Sequence, residues 1–292
     1  MTFKQVDPSG FVPPRLLYRD IVRSTLLEDM GHGDITTSCT VDPNTHALAD
    51  ILAKEEGILA GLFVAMEAFS QVDQALEFSN LMKEGTLFHK GDVLLSISGR
   101  ASSILMAERT ALNFLQRLCG IASLSWKYCQ KIQGTNCRVV GTRKTTPNLR
   151  ILEKYAVRAG GGFNHRFSLS DGILIKDNHI AACQGISQAV KAARAKAPHG
   201  LKIEVEVTDI DQMKEAIWAG ADAVLLDNMT PSEIGRAVGI GKGLKPDLII
   251  EASGGITLEN IDRFAATGVD IISSGALTHS FKSIDLTLKI KL

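Results

Sequence analysis

No stretch of this 292-residue chain is apolar for long enough to cross a bilayer. Neither sign of charge is in excess: 32 Lys and Arg balance 32 Asp and Glu. A nucleic-acid binder usually shows a basic surplus, and so does a protein drawn to an anionic membrane. The five cysteines, Cys39, Cys119, Cys129, Cys137 and Cys183, form no CxxC pair. A disulfide framework or a structural zinc site is therefore not expected, and a reducing cytosol fits. The opening MTFKQVDPSG has no apolar core of the kind a signal peptide needs. No strand-GxGxxG-helix fingerprint of a dinucleotide fold occurs. What remains is a cytoplasmic globular protein with room for one large α/β domain and a smaller one.

Two patterns divide the chain. Residues 14–30 carry apolar residues at helical spacing, and GHGDITT breaks that helix. Residues 46–60 and 76–98 read as strands with tight turns at KEGT and HKGD, and 101–132 as a helix interrupted near Gly120. From about residue 137 short apolar runs alternate with helical segments: CRVVGT, GILIKD, IEVEV, AVLLD, LIIEASGG and DIISSG. Continuous apolar strands separated by helices specify a parallel sheet covered on both faces, and six units in series favour a barrel over an open doubly wound sheet. The tail SIDLTLKIKL alternates like one more strand, expected to return to the first sheet. The expected division is 1–115 for a first α/β domain, to which 281–292 returns, and 116–280 for the barrel.

The strand ends gather polar residues. CRVVGT delivers Thr142, Arg143 and Lys144; GILI delivers Lys176; IEVEV holds Glu206; AVLL ends on Asp227. LIIEA leads into Ser253, Gly254 and Gly255, and DII into Ser273, Ser274 and Gly275. In a parallel barrel all these ends share the face that carries the active site. One such lysine alone would be an ordinary surface residue; six polar strand ends together are not. Glu206 in an apolar strand needs a cation or a metal. Asp227 could cap the next helix, which opens at Thr230-Pro231, or join Glu206 as a ligand. Two carboxylates suit Mg²⁺, which keeps waters and phosphate oxygens as its other ligands. The two glycine turns let backbone approach a phosphate, as barrels often do at their last two strands.

Charge is segregated as well. Between Arg138 and Ile180 eight Lys and Arg face only Glu153, Asp171 and Asp177; between Ile203 and Glu233 eight acids face only Lys214. Arg143, Lys144 and Arg166 with His165 form a cationic set, and guanidinium forks match carboxylates bidentately. Arg109, on an amphipathic helix, projects toward a partner or simply into solvent.

The stretches EDMGHGDITT (28–37), ERTALNFLQRLCGIA (108–122), GTRKTTPNLRILEKYAVRAGGGFNHR (141–166), ILIKDNHI (173–180), EVEV (204–207), AGADAVLLDN (219–228), EASGGI (251–256) and SSGALTHS (273–280) closely resemble the quinolinate phosphoribosyltransferase family. The resemblance runs from about residue 16 to the end, and the joint presence of TRKTTP, NHR and KDNH is highly specific. Ser168 to Gly172 varies slightly from the family's usual Gly-Leu stretch. The resemblance implies an N-terminal α/β sandwich followed by an incomplete, TIM-like α/β barrel. It implies transfer of phosphoribosyl from phosphoribosyl pyrophosphate to quinolinate with loss of CO₂, giving nicotinate mononucleotide and pyrophosphate for NAD biosynthesis. Arg109, Arg143, His165 and Arg166 would clamp the substrate carboxylates, with Thr142, Lys144 and Lys176 also at the substrate. Lys144 and Lys176 would stabilise the departing pyrophosphate. The turns at 253–255 and 273–275 would hold the 5′-phosphate. Mg²⁺ would bind Glu206 and Asp227, directly or through water. The implied assembly is a homodimer or hexamer in which Arg109 crosses to the neighbour's site. Two other readings stay open: a Schiff-base aldolase using Lys176, and an altered paralogue acting on another heterocyclic acid.

Overall fold

The computed structural model describes Gly10 and residues 12–291. The opening MTFKQVDPS, searched above for a leader, lies outside the described residues. A short 3₁₀ turn at Arg15–Leu17 leads into α1 (Arg19–Met30) and α2 (Ile35–Thr40), then β1 (His46–Ala53), β2 (Gly57–Ile58), α3 (Leu62–Val72), β3 (Glu77–Ser79), β4 (Leu87–Phe88), β5 (Val93–Arg100) and α4 (Ala101–Lys131). There follow β6 (Arg138–Gly141), α5 (Arg150–Ala159), β7 (Phe163–Asn164), β8 (Ile173–Ile175), α6 (Asp177–Ala182), α7 (Ile186–Lys196), β9 (Ile203–Val207), α8 (Ile210–Ala219), β10 (Ala223–Asp227), α9 (Pro231–Leu244), β11 (Ile249–Ser253), α10 (Ile261–Ala265), β12 (Ile271–Ser274), α11 (Ala276–His279) and β13 (Leu286–Lys291). No helix among the described residues is long and apolar enough to cross a membrane.

Contacts divide the chain into two compact units. Among the described residues, one takes those up to Trp126, Thr145–Gly161 and those from Leu277 on; the other takes Lys127–Lys144 and Gly162–Ala276. The first holds a four-stranded sheet in the order β13-β1-β5-β3 and the small pair β2-β4. The tail strand pairs antiparallel with β1, from Leu48 opposite Lys291 to Ala53 opposite Leu286. Its alternation explains the pairing: Leu286 and Leu288 are buried while Lys289 is exposed. Lys291 reaches the buried Asp50 carboxylate, which also accepts the Ser96 hydroxyl at 2.6 Å.

The anticipated interruption at Gly120 is absent: α4 runs unbroken for 31 residues. A Cβ at Gly120 would overlap the Lys282 carbonyl oxygen and approach the Phe281 ring to 2.9 Å. The glycine is there for a close approach, not for a bend. Likewise GHGDITT does more than end α1, because Asp34 accepts the Thr37 N–H at 2.9 Å and starts α2.

The second unit is a curled seven-stranded sheet in the order β7-β6-β12-β11-β10-β9-β8, parallel throughout. All six strands expected from the sequence are present; β7, only two residues long, is added to them. The edge strands β7 and β8 are consecutive in sequence and lie at opposite ends of the sheet, so the barrel is incomplete. Val205, Val207, Val224, Leu226, Ile250, Ala252 and Ile272 are fully buried. The alternate positions point to the other face. There the sequence places Lys176, Glu204, Glu206, Asp227, Glu251, Ser253 and Ser273, with Glu206 in register with Leu225, and Leu225 with Glu251. One face of the sheet is therefore sealed by aliphatics, and the other carries charge.

Candidate active site

The cationic wall stands on the exits of β6 and β7. The Lys144 N–H donates to Thr142 Oγ1 at 3.1 Å, which folds the turn after β6. Arg143 is half-buried there, and its Nε–H has no hydrogen-bond partner. Arg166 follows β7. One of its terminal nitrogens donates to the Gly172 carbonyl at 2.8 Å, but its Nε–H is likewise buried and unpartnered. Burial, and then the like charge of Arg143, pull the Arg166 pKa below the ordinary guanidinium value. Two repelling guanidinium groups with unspent donors are suited to receive an anion.

His165 is held from both ring nitrogens. Nδ1 accepts the Arg166 main-chain N–H at 2.8 Å, which assigns the ring proton to Nε2, and Nε2 meets the Glu204 carboxylate at 2.8 Å. The hydrogen bond to Glu204 draws its pKa upward against the opposing cost of burial. A second ring proton, on Nδ1, would have to displace the Arg166 N–H.

On the acidic wall, Lys176 and Glu206 are in direct ion-pair contact from neighbouring strands. Glu206 thus has the cation its apolar strand demanded. Lys176 is also the N-cap of α6, where its main-chain N–H donates to His179 Nδ1 at 3.0 Å. Asp227 is not the cap of α9. That role belongs to Thr230, whose hydroxyl and Glu233 make a capping box ahead of Pro231. The Asp227 carboxylate instead accepts one N–H from the Asn228 side chain at 2.7 Å. Glu206 and Asp227, on adjacent strands with oxygens to spare, are a hard-oxygen donor set that suits a divalent cation such as Mg²⁺.

Asn228 stands beside Asp227 at the end of AVLLDN, where the sequence suggests no role for it. It adopts a left-handed φ of 55°, unusual outside glycine. Its main-chain N–H donates to the Ser253 carbonyl at 2.9 Å. Its side-chain oxygen fills the space a Cβ on Gly254 would need. Asn228 therefore joins the Asp227 carboxylate to the first glycine turn. Gly254 and Gly255 have φ of 91° and 63°, which exposes the main chain of that turn. At the second turn the Ser273 and Ser274 side chains are buried, and the Ser274 hydroxyl faces the Ile256 carbonyl at 3.5 Å. Main-chain groups, rather than these hydroxyls, are what that turn presents. Glu204 and Glu251 were also missed as partners of His165. Their signal was the two-residue spacing that puts them on the same face as Glu206 and Ser253. In the other unit, Arg109 lies exposed on α4, while Leu112 and Leu115 on the same helix are buried.

A curled parallel barrel that collects cations at two strand exits, carboxylates at two more and glycine turns at its last two strands is a barrel enzyme for anionic, phosphorylated substrates. Family models agree with that class. The N-terminal domain of quinolinate phosphoribosyl transferase matches residues 34–119 and the C-terminal domain of the same enzyme matches residues 121–289. The chain belongs to the quinolinate phosphoribosyl transferase family. It is 44% identical to a probable carboxylating nicotinate-nucleotide pyrophosphorylase of Bacillus subtilis, over 95% of this chain and 94% of that one. It is 39% identical to the carboxylating nicotinate-nucleotide pyrophosphorylase of Mycobacterium leprae, covering 93% of this chain and 96% of that one. Among solved structures, NadC from Streptococcus pyogenes superposes with a TM-score of 0.91 at 42% identity, covering 96% of this chain and 98% of the other.

Proposed function

We propose that the chain is a carboxylating nicotinate-nucleotide pyrophosphorylase whose reaction is carried by the residues at the barrel's strand exits. It joins quinolinate to phosphoribosyl pyrophosphate and releases pyrophosphate and CO₂. The observation that carries the assignment of roles is the pair of buried, unpartnered guanidinium donors on Arg143 and Arg166. Quinolinate is a dianion, and two fork-shaped cations with unspent N–H groups match its two carboxylates. His165 orients this pair through the Arg166 main chain and lies at the same substrate. Lys144, exposed at the β6 exit, adds a third cation there.

Transfer begins as the bond from ribose to pyrophosphate loosens and positive charge grows on the anomeric carbon. The pyridine nitrogen attacks that carbon. Lys176 and Lys144 stabilise the charge gathering on the departing pyrophosphate, and groups already in place supply this stabilisation without reorganising. Lys176 is aimed by its contact with Glu206 and by its place at the start of α6. The main chain of residues 253–255 and 273–275 takes the 5′-phosphate. Mg²⁺, when bound by Glu206 and Asp227 directly or through water, would neutralise pyrophosphate charge and fix the ribose hydroxyls. Loss of the 2-carboxylate as CO₂ follows, leaving on C2 an electron pair that the adjacent cationic ring nitrogen stabilises until it takes a proton from solvent. No protein nucleophile is required. Lys176 is spent on Glu206 rather than set in an apolar pocket, which disfavours the Schiff-base reading.

In the same reading the enzyme is a homo-oligomer, a dimer or hexamer, to which each subunit lends Arg109 across an interface. It works in the cytoplasm, where its five free thiols stay reduced. The test is formation of nicotinate mononucleotide from quinolinate, phosphoribosyl pyrophosphate and Mg²⁺, with and without EDTA. Product that EDTA abolishes supports the enzyme and its metal. Product that survives exhaustive chelation removes the metal from the scheme. Mixing Arg109→Ala and Lys176→Ala proteins, each inactive alone, restores activity if sites are shared; no recovery despite demonstrated subunit exchange refutes sharing.

A further inference from the structure

Glu251 is 1% exposed, and neither of its carboxyl oxygens has a well-formed hydrogen bond, although the Ser273 hydroxyl faces it. It sits on the charged face of β11, among groups from several other strands of the sheet. Glu204 of β9 lies close, His165 after β7 places Nε2 3.7 Å from Glu251 Oε2, and Lys176 at the end of β8 is near but paired with Glu206. The Ser273 hydroxyl of β12 and the Cys137 thiol before β6 complete the surroundings. One ligand atom each from His165, Glu204 and Glu251 all fall within 4.8 Å of one another. Such a trio can hold a metal or share a proton. The ring argues for the proton. Nε2 carries the hydrogen that binds Glu204, and the Nδ1 lone pair is taken by the Arg166 N–H, so no ring nitrogen has a lone pair to offer a cation.

We infer that Glu251 works as a neutral carboxylic acid, a positioning residue that keeps the His165–Arg166 segment fit to receive the quinolinate dianion. The inference rests on the assigned reaction. Its physical basis is charge counting. The imidazole that lies 3.7 Å away already serves Glu204, and the nearby Lys176 ammonium is paired with Glu206, so a second carboxylate beneath a site for a dianion would be both unsolvated and repulsive. Burial, and then Glu204, push the Glu251 pKa up to about 7, with His165, Ser273 and Lys176 opposing. The acid is therefore present below that value and lost above it.

Two measurements test this. The first is the KM for quinolinate against pH from 6 to 9, in the wild-type holoenzyme and in Glu251→Gln, which mimics the protonated acid. The wild-type KM should climb by up to about tenfold per pH unit above 7, with kcat little changed. Glu251→Gln should match the wild type within about threefold at pH 6 and stay flat to pH 9. A folded Glu251→Gln enzyme whose KM climbs as the wild type's does, or lies more than about tenfold higher at pH 6, overturns the inference. The second measurement needs no turnover: ¹³C NMR of the Glu side-chain carboxyls in the wild-type protein, with Glu251→Gln and Glu204→Gln assigning the two signals. A carboxyl titrating near neutrality supports the inference even if quinolinate proves not to be the substrate. An ordinary acidic titration overturns it, as does a Zn²⁺ titration that shifts the Glu204 and Glu251 signals together at one equivalent.

Discussion

Replacing Gly254 by alanine should cost far more than replacing its neighbour Gly255. Both glycines have positive φ, 91° and 63°, so a Cβ at either adds roughly 1–2 kcal/mol of backbone strain. There the likeness ends. Nothing lies within 4 Å of a Cβ on Gly255, whereas a Cβ on Gly254 overlaps Asn228 Oδ1 and comes to 2.8 Å from the Asn228 main-chain nitrogen. Relief means moving Asn228, which breaks its 2.7 Å bond to Asp227 and its 2.9 Å bond to the Ser253 carbonyl. At about 1 kcal/mol for each hydrogen bond, the gap between the variants is about 2 kcal/mol. Urea unfolding of the two variants reads that gap. Initial rates against phosphoribosyl pyrophosphate should show a KM rise of at least about tenfold for Gly254→Ala, because in the proposed mechanism Asp227 and the turn serve that same substrate. Equal stability and equal KM in the two variants would refute the coupling of Asp227 to the glycine turn through Asn228.

Gly120→Ala should lower stability by about 2–3 kcal/mol despite the better helix propensity of alanine, since the Cβ meets main chain at Lys282; a stabilised variant in thermal melts would show that the close approach is not obligatory. Asp50 has its pKa lowered by the Lys291 ammonium and then by the Ser96 hydroxyl. Its contribution is therefore complete above the unfolded carboxylate value and disappears as pH falls through the lower folded value. Asp50→Asn should lose stability at pH 7 and show a shallower acid limb in urea midpoints between pH 5 and pH 2, and an unchanged limb would dismiss the Asp50–Lys291 latch. Arg143→Lys keeps the charge but not the fork, so KM for quinolinate should rise at least about tenfold with little change in the KM for phosphoribosyl pyrophosphate; the opposite pattern would move Arg143 to the phosphate side.

The sequence made the barrel legible because each parallel strand is a short apolar run between helices, and because the polar residue that ends each run has nowhere to go but the rim. Lys176, Glu206 and Asp227 could be placed on one face from spacing alone, and the structure adds that Lys176 and Glu206 touch. Glu251 was harder to see. In LIIEASGG it reads as an interruption of an apolar strand; its two-residue spacing from Ser253 points to the same face, and the register with Leu225 and Glu206 places it there with Glu204 and His165. The misjudged break at Gly120 has a similar origin: local propensity says flexible, while the reason for the glycine is a carbonyl more than 160 residues away in sequence. β7 is two residues long, too short to show any period. The left-handed Asn228 and the buried Ser273 and Ser274 are settled by packing that no single-strand pattern carries.

The most direct test of the central claim is release of labelled CO₂ from quinolinate carrying ¹⁴C in its 2-carboxylate, measured together with nicotinate mononucleotide. The account predicts one CO₂ per nucleotide formed, none without phosphoribosyl pyrophosphate, and no nucleotide when nicotinate replaces quinolinate. Nucleotide made from nicotinate, or CO₂ released without the sugar donor, would contradict it.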